Sequence, residues 1–141
     1  MTLNVRHSGI VVRDLKKSMD FYKYLGFRVV SDEMESGNFI DRILGFDDCK
    51  VHTIKMICDG GQMIELLKYE TPTSDDFTKA VNSIGCSHLA LTVNDIKSLY
   101  DDLIDKNVEF INPPASNGKV MVAFCKDPNG LWLELVEELW K

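Results

Sequence analysis

Apolar and polar positions follow the same order twice along this chain. Residues 5–12 alternate, which puts His7, Gly9 and Val11 on one face of a strand, and residues 87–93 alternate likewise with His88, Ala90 and Thr92. The period then lengthens. Leu15, Met19, Tyr22 and Leu25 recur at helical spacing, as do Ile96, Leu99, Tyr100 and Leu103. Short strands are predicted over 27–30 and 108–111. Each half closes on a hairpin: 51–58 turns at Gly60-Gly61 into 62–67, and 120–126 turns at Asn129-Gly130 into 131–136. Asn-Gly is among the strongest hairpin signals, because both residues accept positive φ. Each half therefore predicts strand, helix, strand, strand, strand.

The two halves also align residue by residue. An offset of 81 places His7 on His88, Val12 on Val93, Asp14 on Asp95, Lys16 on Lys97 and Gly26 on Asn107. Asp14 and Asp95 are placed to cap their helices, with carboxylates that accept from free N–H groups of the first turn. Gly and Asn are the residues that best tolerate the left-handed conformation at a helix end, so both helices are predicted to stop in the same way. In the closing hairpins the offset falls to 69, aligning GGQMIELL around Glu65 with NGLWLELV around Glu134. The first half thus carries 12 extra residues between Val30 and Val51. They predict a long acidic loop over 31–50, with Phe39, Ile40, Leu44 and Phe46 in it, acting as a substrate lid or folded as a short helix over 39–44 at an open end of the sheet.

Composition narrows the function. At 141 residues and 45% apolar, the chain is long enough for one core, whereas a free module of about 60 residues would be marginal, so the halves are expected to share a sheet or core. A net charge of −6 and no basic cluster argue against nucleic acid as a partner. No apolar run approaches the roughly 20 residues of a membrane span, and the N-terminus lacks a signal-peptide core, so no membrane partner and a cytoplasmic location are expected. Cys49, Cys58, Cys86 and Cys125 form no CxxC pair and are expected as reduced, mostly buried thiols.

Candidate chemistry rests on His7, Glu65, His88 and Glu134, which occupy equivalent positions of the two halves. Glu134 shares a strand face with Trp132 and Val136, and Glu65 shares one with Met63 and Leu67. A carboxylate in so apolar a strand is expensive to bury unless a cation meets it. No equally placed Lys or Arg is offered to both carboxylates, and a divalent metal would answer both carboxylates and both imidazoles at once. His52 has no counterpart, since Met121 aligns with it, and is expected at the surface or beside a loop. Asp127 and Pro128 read as turn residues. Trp132, Phe124, Met63, Met121 and Phe39 are candidates for lining a pocket, with core packing as the alternative.

The paired modules, with HSGIVVRDLKKSMDFY at the start, GCSHLALTVNDIKSLYDDL in the middle and KDPNGLWLELVE at the end, resemble the glyoxalase, bleomycin-resistance and extradiol dioxygenase superfamily, also called the vicinal oxygen chelate superfamily. The resemblance covers residues 4–138. It implies an α+β fold of two βαβββ modules, about 4–70 and 85–138, curled into a cup-shaped, barrel-like mixed sheet and forming a single domain over 1–141. It also implies one divalent ion held by His7, Glu65, His88 and Glu134.

The ligand set is most similar to that of glyoxalase I, lactoylglutathione lyase, whereas the methylmalonyl-CoA epimerases usually carry Gln where Glu65 stands. A glyoxalase-type lyase or isomerase would bind vicinal oxygens of a small substrate on nickel, cobalt, zinc or manganese and work through an enediolate. Glu134 would be the base, loosened from the metal as the substrate binds, with Glu65 or a metal-bound water as its counterpart on the other face. Three alternatives remain: a methylmalonyl-CoA epimerase-like enzyme, an iron-dependent extradiol-type dioxygenase, which Glu65 as a fourth ligand would crowd, and a non-catalytic antibiotic-binding protein, which commonly lacks the ligands. For a glutathione-type substrate, Arg13, Arg42, Lys68 and Lys119 are candidate partners of its carboxylates. A homodimer is expected from the resemblance, with each site built within one chain or from two.

Overall fold

A computed structural model describes residue 1, residues 3–74 and residues 79–140. The chain divides into two compact units, Met1–Asp76 and Phe77–Lys141. The first contains β1 (Ser8–Val11), α1 (Leu15–Tyr24), β2 (Arg28–Ser36), α2 (Asn38–Leu44), β3 (Lys50–Ile57) and β4 (Met63–Thr71). The second contains β5 (His88–Thr92), α3 (Ile96–Asp105), β6 (Ala115–Ser116), β7 (Val120–Lys126) and β8 (Trp132–Glu138). Each unit has one four-stranded mixed sheet, ordered β1-β4-β3-β2 and β5-β8-β7-β6. In each, the first strand runs parallel to the last and the remaining pairs are antiparallel. The class is α+β, as the resemblance implies, with two mixed sheets, neither of which closes on itself.

The repeated punctuation has the same physical cause in both units. Asp14 Oδ1 accepts from the Lys17 N–H at 3.0 Å and Asp95 Oδ1 accepts from the Ser98 N–H at 3.0 Å, so each helix begins on a carboxylate cap. Gly26 and Asn107 sit at φ 102° and 63°, the left-handed region that ends a helix. Both hairpins turn through a glycine at positive φ, Gly61 at 85° and Gly130 at 86°. In the second, Asp127 Oδ1 accepts from the Asn129 and Leu131 N–H groups at 2.7 and 2.9 Å, which explains a buried aspartate in the turn.

Each sheet has one face under its helix. In the first unit Ile10, Ile54, Met56, Ile64 and Leu66 are buried on that face, and Tyr22 of α1 is fully buried, its ring edge-on to those of Phe21 and Phe27. In the second, Leu133, Leu135, Ala123 and Cys125 are buried on the face shared with Ile96 and Leu103 of α3. Ile96 gains a second anchor from β8, because its N–H donates to Glu137 Oε2 at 2.9 Å. Alternation therefore leaves the opposite face of each sheet free for other chemistry.

Three local expectations change. β1 begins at Ser8 rather than Val5, because its only partner, β4, begins at Met63, and Ser8 pairs with Ile64. Of the two readings of 31–50, the short helix expected over 39–44 is present as α2, whereas the long loop is replaced ahead of it by β2, which runs on to Ser36 against β3, so the segment is an arm with regular structure. An edge strand with one paired side tolerates the acidic run Ser31-Asp32-Glu33-Met34-Glu35, so the insertion that suggested a loop is built into the sheet. Over 108–111 a strand is reduced to a single bridge, Phe110 to Cys125, although Ile111 N still donates to Phe124 O. Pro113 and Pro114, after Asn112, have no N–H to carry the ladder across to Ala115, where β6 resumes it. Among the thiols, all free, Cys49 and Cys125 are buried, Cys58 is half-buried and Cys86 is exposed, so fewer are buried than expected. Among the described residues no helix is long and apolar enough to cross a membrane.

Candidate functional site

The free face of each sheet carries one histidine and one glutamate, in the same geometric relation. Gly9 on β1 pairs with Glu65 on β4, and Ala90 on β5 pairs with Glu134 on β8. The histidine stands two residues before the small residue in each case, so parallel pairing brings it diagonally beside the carboxylate. His7 Nε2 lies 3.5 Å from Glu65 Oε2, and His88 Nε2 lies 3.1 Å from Glu134 Oε2. A Cβ at Gly9 would meet Leu67 Cδ1 at 3.4 Å. The four residues thus form two His–Glu pairs, one in each unit; among the described residues no three or more His, Cys, Asp or Glu are gathered in one group.

The surroundings of the two pairs differ. Antiparallel pairing puts Lys55 directly across from Glu65, and Phe124 directly across from Glu134. No ion pair joins Lys55 to Glu65 among the described residues. On the second face the His88 ring meets Phe124 edge-on at 5.3 Å, and Lys126, held by Glu109 at 3.2 Å, lies over the Trp132 ring at 5.0 Å. Trp132 also donates from its indole N–H to the Lys79 carbonyl at 3.0 Å. The glutamate side chains are mostly buried, 14% exposed for Glu65 and 26% for Glu134.

The imidazoles differ in how their second nitrogen is served. Ser87 Oγ is 2.6 Å from His88 Nδ1. His7 Nδ1 is buried and has no hydrogen-bond partner among the described residues. Ser87 and Lys55 both escape the sequence reading. Lys55 aligns with Phe124 between the halves, and only strand register reveals that it faces Glu65. Ser87 was legible only as the residue before His88.

The arm of the first unit reaches the same face. Ile40 of α2 packs with Cys49 and Val51, against Leu67 and Tyr69, and the Phe46 ring meets Tyr69 edge-on at 6.2 Å. Thr53, buried on this face, donates to Glu35 Oε2 at 3.1 Å. Burial raises the Tyr69 phenol above its ordinary pKa, with Cys49, Glu65 and Glu35 adding to the effect. Burial likewise pushes the Cys125 thiol up to about 12, with Asp127 reinforcing it, so this thiol stays protonated at neutral pH.

Of the other candidates, Trp132, Phe124 and Met63 share a face with the glutamates. Met121 lies on the helix side of its sheet, and Phe39 is 72% exposed on α2. His52 stands mid-strand on β3, with its ring paired to Asp32, rather than beside a loop. Lys68 pairs with Glu70 and sits across from His52, on the face away from Glu65. Arg42 lies in the last turn of α2. Lys119 immediately precedes β7 and Arg13 precedes α1.

Residues 4–135 match the family described as the glyoxalase/bleomycin resistance protein/dioxygenase superfamily. A probable lactoylglutathione lyase of Synechocystis is 29% identical over 135 residues, covering 93% of this chain and 92% of its own. Among solved structures, a glyoxalase family protein of Bacillus cereus superposes with a TM-score of 0.91 at 24% identity, covering 99% of this chain and 96% of that one. A variant of the fosfomycin resistance protein of Listeria monocytogenes, solved with Mn(II) and 1S,2S-dihydroxypropylphosphonic acid, superposes with a TM-score of 0.67 at 13% identity. That match covers 96% of this chain and 92% of the other.

Proposed function

Since the chain belongs to the glyoxalase/bleomycin resistance protein/dioxygenase superfamily, we propose that it is a divalent-metal-dependent lyase or isomerase acting beside a carbonyl of a small substrate with vicinal oxygens. The observation that carries this reading is the duplicated His–Glu pair, placed by the same strand register in both units. The name of the Synechocystis relative supports a lyase, and the Mn(II) of the Listeria structure supports a divalent ion in this fold.

The residues fit such an ion by their donor chemistry. Both histidines turn Nε2 toward a carboxylate oxygen, and imidazole nitrogen with carboxylate oxygen suits nickel, cobalt, zinc or manganese. In this reading His7 with Glu65, and His88 with Glu134, supply the imidazole and carboxylate ligands of the ion, from one chain or from two copies. When bound, it polarises the substrate carbonyl and carries negative charge that develops on the vicinal oxygens.

The chain's own groups then divide the proton work. Glu134 takes the proton from the carbon beside the carbonyl: it is the more exposed carboxylate, and across the ladder it faces the apolar Phe124. The proton held on Glu134 is then returned to the neighbouring carbon, and Glu65, the more buried carboxylate, facing Lys55, is its counterpart on the other side. Phe124, Trp132 and Val136 keep water away from the Glu134 face and offer apolar contact to the substrate.

The test is conversion of the hemithioacetal of methylglyoxal and glutathione by the purified protein, before and after exhaustive chelation and with nickel, cobalt, zinc or manganese restored. Activity lost on chelation and recovered with a divalent ion supports the proposal. Turnover indifferent to chelation, or none with any of these metals, counts against it.

A further inference from the structure

The His88 ring is held at both nitrogens. Nε2 faces Glu134 Oε2 at 3.1 Å, Nδ1 faces Ser87 Oγ at 2.6 Å, and the ring lies edge-on to Phe124. His7 lacks the second hold, because its Nδ1 is buried without a partner while Nε2 stands 3.5 Å from Glu65 Oε2. The first repeat therefore provides an internal contrast to the second.

A neutral imidazole carries one proton, and its place decides which nitrogen has a free lone pair. With no cation present, the proton can sit on Nε2 and be donated to Glu134, while Ser87 donates its hydroxyl proton to Nδ1. When a cation takes the Nε2 lone pair, the ring proton must be on Nδ1. A serine hydroxyl both donates and accepts, so rotation about its C–O bond lets Oγ accept from Nδ1–H without moving a heavy atom. At His7 the same tautomer would leave a buried N–H with no acceptor, which is the unfavourable arrangement.

We infer that Ser87 is a positioning residue for His88: it holds the ring orientation and supplies the acceptor for the tautomer whose Nε2 can ligate a divalent cation. The inference rests on the proposed metal site, and it makes the His88–Glu134 half the better prepared of the two. Groups beyond the ligands commonly set metal affinity through such hydrogen bonds.

The experiment uses histidine-labelled full-length protein with zinc as the probe, since zinc is diamagnetic. Three proteins are compared: unmodified, Ser87→Ala and Ser87→Thr. Two-bond proton–nitrogen spectra read the His88 tautomer with and without zinc, and competition with a chromophoric chelator reads affinity. In the unmodified protein, zinc should convert His88 to the form protonated at Nδ1. Ser87→Ala should weaken zinc binding about 10- to 100-fold, with the tautomer of free His88 no longer fixed, and Ser87→Thr should restore both. Thermal melts of all three report whether folding is intact, and the threonine variant separates loss of the hydroxyl from loss of packing. Zinc uptake by Ser87→Ala equal to that of the unmodified protein, with the same tautomer, overturns this inference and leaves the metal site standing. No zinc uptake by the unmodified protein overturns both.

Discussion

Replacing Glu134 by Gln is expected to lower turnover of a hemithioacetal substrate by about 10²- to 10⁴-fold, the usual contribution of a positioned general base. The amide keeps the size of the side chain and an oxygen acceptor toward His88, so the strand and its pairing to Ala90 and Phe124 are retained. What it loses is the charge that accepts a proton. Glu65→Gln is the informative partner. If the two carboxylates work on opposite sides of the substrate, each single change costs turnover, and the double change costs less than the product of the two, because the groups act on one reaction. Rates equal to those of the unmodified protein for Glu134→Gln, at matched metal loading, would remove Glu134 from the role of base. The reading is made on steady-state kcat and KM with metal content measured on the same samples.

The largest stability effect is expected from Leu135→Ala. Leu135 is fully buried on the helix side of β8, one residue from Glu134, and directly across the ladder stands Ala123, too small to fill a gap. Deleting a buried leucine side chain costs about 2–5 kcal/mol, toward the upper end where the neighbours cannot collapse into the cavity. Chemical denaturation should show a lower midpoint with an unchanged slope, the sign of altered stability rather than altered compactness. Leu139→Ala, at a position 42% exposed, is the control and should change stability by well under half of that amount. A Leu135→Ala midpoint equal to that of the control would mean that the helix-side face of the second sheet is not the core described above.

The elements most legible in the sequence are those fixed by local chemistry. Asp14 and Asp95 cap helices because a carboxylate one residue before a helix can reach its first N–H groups, and Gly26 and Asn107 end them because few other residues accept positive φ. These need no knowledge of the rest of the chain. The halving of the protein was legible for the same reason, since the caps, helix ends and hairpin turns recur at matching positions.

What was lost depends on neighbours in space. The extension of β2 to Ser36 is invisible where an insertion between the two copies suggested a loop; it forms because β3 offers a full ladder beside it. The strand expected over 108–111 is reduced to a bridge because Pro113 and Pro114 interrupt the pairing, which resumes at β6. The His–Glu pairing within each unit follows from strand alternation together with the parallel register of the first and last strands, and alternation alone was readable. Lys55 and Ser87 required the register and the side-chain positions themselves, as the two halves differ at both.

The central claim is that the two His–Glu pairs are halves of one divalent-metal site, and metal content tests it most directly. Untagged protein purified without chelator, and its His7→Ala and Glu134→Ala variants, would be measured by elemental mass spectrometry before and after incubation with nickel, cobalt, zinc and manganese. The account predicts about one divalent ion per chain in the unmodified protein, lost in both variants although they alter different units. Loss in only one variant would mean that the pairs do not act as one site, and no metal in the unmodified protein, even after incubation, would contradict the account outright.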